Sequence, residues 1–343
     1  MKRLLGLLVS MLLLCACTAA SSERYTASFI DVFDTASQIV IYADDQKQAN
    51  RIAQTVHQEL QYYHKLFDQY HDTPGVNGVY ALNHRAGTEP VPVDAPLFRL
   101  LQLGKEMYAK TGGKVNIAMG SVLSLWHDAR EQGLKDPENA TLPDLTELRE
   151  ASLHTDPEHI VLDAEKQTVF FSDPFLQLDL GAVAKGYAVE RVADLLEANG
   201  DTGIVLSIGG NVRTIGCRPD GTVFSIGIQN PDLTSEIQHI AVAALKDASL
   251  VTSGSYQRYF IVNGKQYHHI IDPDTLMPAD HAWSVSVITQ DSGLADALST
   301  ALFTMTPEAG MAFLKQYPGT EAIWVLNDGT MILSEGMEAL LVQ

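Results

Sequence analysis

From about residue 29 onward, the apolar positions of this chain fall into alternating strand-like and helix-like periods. Phe29 to Tyr42 reads as a strand pair, with Phe33-Asp34-Thr35-Ala36 at the turn and Ile39-Val40-Ile41-Tyr42 as a β-run. From Gln48 to Phe67 the residues Ile52, Val56, Leu60 and Tyr63 recur on one helical face. Pro96 to Lys110 predicts a second helix, stopped by Thr111-Gly112-Gly113. Asp72 to Gly78 and Asn83 to Glu89 are polar loops. Arg130 to Asp156 is a polar excursion with one short helix from about Pro143 to Ser152.

The middle of the chain predicts a strand–helix–strand unit. Val169 to Leu180 is rich in Val, Phe and Leu, and a helix then runs to Leu196 with Val189, Val192 and Leu196 on its buried face. Asn199-Gly200 stops that helix, and Ile204 to Ile208 forms a second strand ending in Gly209-Gly210. Asp179 thus sits at a strand end and Lys185 near a helix start. Free backbone N–H groups there, with a lysine beside them, suit a phosphate-bearing ligand. The P-loop order and Gly-x-Gly-x-x-Gly are both missing, so a tight turn with a surface lysine is the alternative.

Beyond Gly210 the pattern is β-rich. Thr222–Ile228, Ile240–Leu245, Ser249–Thr252 and Tyr259–Val262 read as strands, with Asn263-Gly264 as a hairpin turn. No internal repeat or linker divides the chain. The expectation is an α+β fold of mixed, largely antiparallel sheets with flanking helices, one domain of two lobes over residues 29–343.

The first residues change the picture. Lys2 and Arg3 precede an apolar run from Leu4 to Leu14, of secretory length and too short for a permanent span. Leu14-Cys15-Ala16-Cys17 resembles a bacterial lipobox, which makes residues 1–16 a signal peptide. Cys17 is then the lipidated residue and 17–28 a polar tether. An ordinary signal peptide cut near Ala19-Ala20 is the alternative. The expected location is the extracytoplasmic face of the cell membrane, held by lipid alone. Cys217 is then the one free thiol, so no internal disulfide forms and stability comes from the core.

The net charge is −19, or −21 without Lys2 and Arg3. Such a surface repels nucleic acid and anionic lipid heads, which removes both as partners. Any anionic ligand needs local help from a metal ion or from helix termini.

Three stretches carry possible chemistry. In Tyr267-His268-His269-Ile270-Ile271-Asp272-Pro273, adjacent strand residues point to opposite faces, so at most one histidine serves a site. It is either a general base or ligand contact, or a hydrogen-bonded core residue. In Asp291 to Phe303, Asp291 or Ser292 caps a helix, and Asp296 and Thr300 share one face. A carboxylate and a hydroxyl are hard donors suited to Mg²⁺ beside a pyrophosphate, though both also have structural uses at a helix start. Thr252 to Tyr259 is a polar turn without a serine-nucleophile arrangement. Small residues at Ala118, Gly120 and Ser121 allow close approach of a flat ligand, or simply close packing.

Taken in order, these segments resemble the ApbE family of flavin transferases, which move FMN from FAD onto a protein threonine. The anchors are Asp-Leu-Gly-Ala-Val-Ala-Lys-Gly-Tyr at 179–187, Ile-Gly-Gly-Asn at 208–211 and Ser-Gly-Ser-Tyr-x-Arg at 253–258. His-Ile-Ile-Asp-Pro at 269–273 and Ala-Asp-Ala-Leu-Ser-Thr at 295–300 complete them. The resemblance implies two lobes around a central FAD and Mg²⁺ site. It implies Mg²⁺ held by Asp296, Thr300 and the Ala182 carbonyl. It implies FAD contacts at Phe33, Tyr70, Ala118, Met119, Gly120, Asp179, Lys185 and Ile271, with His269 helping to deprotonate the acceptor threonine.

The implied partners are FAD and an acceptor flavoprotein. A Mg²⁺-dependent FAD pyrophosphatase and a non-enzymatic FAD-binding lipoprotein are the competing functions. Three departures stand out: Phe33-Asp34-Thr35 for Met-Gly-Thr, Asn116-Ile117-Ala118 for Asp-x-Thr, and Leu276 where the family often has glycine. A leucine disfavours positive φ, so the 272–278 loop is expected to take another backbone path.

Overall fold

The computed structural model describes residues 22–342, so the leader and the expected lipidation site at Cys17 lie outside the described residues. The chain begins with β1 (Glu23–Val32), β2 (Thr35–Ala43), α1 (Gln46–Phe67), α2 (Val79–Arg85), β3 (Val91–Pro92) and α3 (Ala95–Lys110). Next come α4 (Gly120–Lys135), α5 (Leu145–Ser152), β4 (Ile160–Asp163), β5 (Thr168–Phe171) and α6 (Ala184–Ala198). Then follow β6 (Ile204–Ile208), β7 (Asn211–Ile215), β8 (Phe224–Gln229), β9 (His239–Leu245), β10 (Ser249–Gly254), β11 (Tyr259–Val262) and β12 (Lys265–His268). The chain closes with β13 (Ser284–Thr289), α7 (Ser292–Phe303), α8 (Pro307–Leu314), β14 (Glu321–Val325) and β15 (Met331–Leu333).

Eight strands form one antiparallel sheet in the order β1-β2-β6-β7-β10-β13-β14-β15. Every residue of β13 is buried, because both sheet faces are covered. Val251, Val287 and Trp324 join α1, α6 and α7 in the main core on one face. Leu250, Ile288 and Ile323 pack on the other face with the β8–β9 hairpin. Period-2 alternation sends successive side chains into two separate cores.

A second lobe has its own small core of Met119, Val122, Trp126, Leu148, Phe260, Val262 and Ile271, drawn from α4, α5, the β11–β12 hairpin and the chain beyond it. The fold is α+β with largely antiparallel sheets, as the sequence pattern predicts.

Several expectations need correcting. The polar tether does not extend to residue 28, because β1 starts at Glu23 and pairs Tyr25 with Ile41 and Ala27 with Ile39. Tyr25, Ala27 and Phe29 alternate with exposed residues, a period-2 signal that begins before Phe29. The strand expected over Val169–Leu180 ends at Phe171, where Asp173-Pro174 interrupts the ladder. Beyond a turn at Pro174-Phe175 the chain bridges Met119 through Gln177 and is fastened by the Asn83 side chain, which bonds both the N–H and the C=O of Leu178. Helix also replaces part of two expected loops, since α2 runs to Arg85 and α4 to Lys135.

Leu276 does adopt positive φ, at +58°. Its N–H donates to the Asp272 carbonyl at 2.8 Å, its carbonyl accepts from Trp126 Nε1 at 3.0 Å, and Lys114 bonds the Asp272 and Asp274 carboxylates. Those contacts outweigh a left-handed penalty of about 1–2 kcal/mol.

Candidate active site

A cleft of about 310 Å³ separates the two lobes. On the sheet side it is walled by the start of α6, the Asp296–Thr300 turn of α7 and the turns β1–β2 and β6–β7. On the other side stand α4, the β11–β12 hairpin and residues 269–273.

The two turns have a common chemistry. Phe33 and Asp34 both take positive φ, as do Gly209 and Gly210, which is the geometry of two-residue hairpins matched to sheet twist. The β1–β2 tip is clamped from two sides. The Phe33 N–H donates to His64 Nδ1, and Arg258 donates to the Phe33 and Asp34 carbonyls at 3.3 and 3.1 Å. The Gly209-Gly210 turn delivers Asn211, 1% exposed, to the cleft floor.

The centre of the site is the crossing of α6 and α7. Gly186 is required there, since a Cβ would overlap the Ser292 carbonyl oxygen and the Asp296 Cβ. With the helices this close, the Gly186 N–H donates to Asp296 Oδ2 at 2.7 Å. Asp296 is 4% exposed. Burial pushes its carboxyl up, against the opposing pull of Lys185, the Gly186 amide and Asn211. The Gly186 amide spent on Asp296 would otherwise reach back toward Ala182. The Ala182 carbonyl therefore has no donor among the described residues. Asn211 Oδ1 is also buried without a partner.

These atoms decide what the site can hold. Among the described residues, no group of three or more His, Cys, Asp or Glu side chains converges as a soft-metal site would. The cleft instead gathers Asp296, Thr300 and Ala182, a carboxylate, a hydroxyl and a free carbonyl, with the orphaned Asn211 Oδ1 lining it too. One charged and several neutral hard oxygens fit Mg²⁺, which takes one or two carboxylates and completes its shell with water and phosphate oxygens.

His269 lies across from this cluster. Its Nδ1–H and its backbone N–H both point to the Arg258 carbonyl, each at 3.2 Å. This fixes the tautomer and leaves Nε2 with a free lone pair. The imidazole opens to the cleft but is ringed by protein. That enclosure, followed by Arg258 and Lys185, pushes its pKa down to about 3. His268 also borders the cleft, but it is buried with Nε2 bonded to the Ala279 carbonyl at 2.8 Å and Nδ1 accepting from the Ile270 N–H at 3.2 Å. Both of its ring nitrogens are thereby occupied, and His269, just past the end of β12, is the one with a free ring nitrogen.

Asp179 is held by Gln69 Nε2 at 2.7 Å and by the Gly181 N–H at 2.8 Å. Tyr70 stacks on His127 with ring centroids 4.6 Å apart, forming an aromatic shelf at the mouth. Burial, with Asp179 second, pushes the Tyr70 phenol up to about 12, so it stays protonated.

Of the residues singled out in the sequence, Phe33, Tyr70, Met119, Asp179, Ala182, Lys185, His269, Ile271, Asp296 and Thr300 all line the cleft. Ala118 and Gly120 do not. Ala118 is fully buried, and a Cβ on Gly120 would sit 2.6 Å from the Gln177 carbonyl oxygen, so these small residues serve packing. Ser253, at the cleft wall, pairs its Oγ with Ser299 Oγ at 2.8 Å. Arg258 and Asn211 also line the cleft, and each closes a motif visible in the sequence, at 253–258 and 208–211. His64, Gln69, Trp126 and Arg130 also line the cleft, and only their place in the fold puts them there.

Comparison with known proteins agrees with this arrangement. The sequence model of the ApbE family matches residues 33–324. An FAD:protein FMN transferase of Klebsiella pneumoniae is 33% identical over 299 residues, covering 86% of this chain and 87% of its own length. One from Treponema pallidum is 33% identical over 307 residues, covering 84% and 83%. Among solved structures, the ApbE protein of Thermotoga maritima superposes with a TM-score of 0.81 at 29% identity, covering 94% of this chain and all of that one. A mutant of the flavin transferase ApbE from Vibrio cholerae gives 0.76 at 25% identity, covering 93% and 100%. The chain therefore belongs to the ApbE family.

Proposed function

We propose that this protein is an FAD:protein FMN transferase that is Mg²⁺-dependent and attaches FMN to a threonine of an acceptor flavoprotein, releasing AMP. The observation that carries the reading is the Asp296 carboxylate. One oxygen is fixed by the Gly186 amide, and the same cleft holds two oxygens without a protein donor among the described residues, Asn211 Oδ1 and the Ala182 carbonyl.

Asp296, Thr300 and the Ala182 carbonyl would hold Mg²⁺, which supplies neutralisation of charge on the pyrophosphate. Lys185 and Arg258 stand in the same cleft as positive charge for phosphate oxygens. His269, held neutral and in a fixed tautomer, accepts the threonine hydroxyl proton at Nε2. The threonine oxygen forms a bond to the FMN-side phosphorus, and the bond from that phosphorus to the bridging oxygen breaks as AMP leaves. The Tyr70–His127 shelf offers a flat apolar face for an aromatic ring of the dinucleotide. Cys17, acylated after removal of residues 1–16, would hold the enzyme to the outer face of the cell membrane, with the acceptor in the same compartment.

The test is intact mass spectrometry of a threonine-containing acceptor domain after incubation with the protein, FAD and Mg²⁺. A mass gain of one FMN, lost with EDTA, supports the transferase. Free FMN and AMP beside an unmodified acceptor would indicate a pyrophosphatase instead. FAD that stays bound and intact would indicate a carrier.

A further inference from the structure

Helices α6 and α7 exchange carboxylates in a reciprocal way. In α6, Gly186 and Glu190 lie four residues apart; in α7, so do Ser292 and Asp296. The Gly186 N–H donates to Asp296, and the Ser292 N–H donates to Glu190 Oε2, both at 2.7 Å. Each helix thus presents an amide in its first turn and a carboxylate one turn later to its partner. A carboxylate at a helix N-terminus is favoured by the dipole as well as by the hydrogen bond.

The two halves differ in charge. Glu190, 6% exposed, is paired with Arg213, 5% exposed, through Nε at 3.2 Å and Nη2 at 3.4 Å. Arg213 Nη2 also reaches Glu197 at 3.1 Å, and Nη1 bonds the Thr214 carbonyl. No arginine answers Asp296, which lines the cleft with the Asn211 side chain beside it. Arg213 lies on β7 two residues from Asn211, so the pair ties the start of α7 to the strand that presents Asn211.

We infer that Glu190 and Arg213 are positioning residues for the metal site: they fix where α7 begins and so place Asp296 and Thr300, without touching the ion. The inference rests on the Mg²⁺ reading above. Partners that orient metal ligands in this indirect way are typically worth 10- to 100-fold in metal affinity when removed.

The test is a Mn²⁺ titration in the presence of saturating FAD, counting free Mn²⁺ by electron paramagnetic resonance, for wild type and variants of measured melting temperature. Glu190→Gln is expected to weaken Mn²⁺ binding by about 10- to 100-fold. Should that variant fail to fold, the double replacement Glu190→Leu with Arg213→Met decides, since exchanging a buried pair for apolar residues is often neutral or stabilising. It is expected to fold and still to bind Mn²⁺ weakly, because the Ser292 amide has lost its acceptor. Arg51→Met, which breaks the distant Arg51–Asp201 ion pair, is expected to lower the melting temperature and leave Mn²⁺ affinity alone. Wild-type affinity in the Glu190 variants overturns the inference while the metal reading stands. A wild type that binds no Mn²⁺, or binds it unchanged after Asp296→Asn, overturns both.

Discussion

Asp296 is a carboxylate at 4% exposure with no arginine or lysine bonded to it, a state that folding alone would not select. Burial raises its pKa, so the ionised form is uncomfortable until a cation arrives. Asp296→Asn keeps the shape and an oxygen for the Gly186 amide while removing the charge. It is expected to abolish Mg²⁺-dependent FAD turnover and to hold or raise the melting temperature, as replacing a strained functional group commonly does. Retained turnover would remove Asp296 from the metal site.

His269 makes a prediction of opposite character. Its pKa falls from an ordinary 6.5 to about 3, so between those values the unfolded chain binds a proton that the native state does not. The stability associated with His269 is whole above about pH 6.5 and is lost progressively as pH falls toward 3. For the role proposed for His269 in catalysis, the same shift keeps the imidazole competent as a base throughout the physiological range. The pH profile of kcat/KM is therefore expected to carry no limb from His269 between about pH 5 and 8. A limb near 6.5 that vanishes in His269→Gln would contradict this.

At the scale of elements, the site depends on how closely α6 and α7 approach. Gly186→Ala places a methyl group where the Ser292 carbonyl stands, and both contacts are backbone or Cβ atoms that cannot swing aside. Overpacking of this kind costs about 1–3 kcal/mol. The loss of Mg²⁺-dependent rate is expected to exceed what the fall in melting temperature explains, because separating the helices also withdraws the Gly186 amide from Asp296.

The elements were legible in the sequence wherever periodicity was strong. α1, α3 and α6, the β6–β7 turn and the Asn263-Gly264 hairpin stand close to where their patterns put them. The misreadings have local causes. Val169 to Leu180 reads as one strand because its apolar content continues past Pro174, whereas its pairing with β3 and β4 does not. Leu276 disfavours positive φ by local rules, but Trp126 and Lys114 are brought to that loop from distant parts of the chain, which no local rule can see. The same applies to the Glu190–Arg213 pair and to the Asn83 clamp on Leu178. Both join residues far apart in sequence with no motif between them.

For the whole molecule, the question is how a chain of net charge −19 receives an anionic dinucleotide. The cleft places Lys185 and Arg258 where they form no ion pair among the described residues, while Lys114 and Arg130 are paired with Asp272, Asp274 and Glu131. The two fields act over different distances. Repulsion from the exterior operates on the approaching ligand across tens of ångströms and is screened once the Debye length falls to about 8–10 Å. Attraction from Lys185, Arg258 and the proposed metal ion inside the cleft acts at contact and is screened much less. Added salt should therefore help entry more than it harms binding, the reverse of a nucleic-acid protein, whose affinity collapses with salt. Stopped-flow association of FAD with the Mg²⁺-loaded protein is expected to quicken severalfold between low and physiological ionic strength, with dissociation nearly constant. Lys185→Gln should slow association at every salt concentration and leave the upward trend intact. If association slows as salt is added, the cleft cations rather than the acidic shell govern the encounter, and net charge is the wrong guide to how this enzyme meets its substrate.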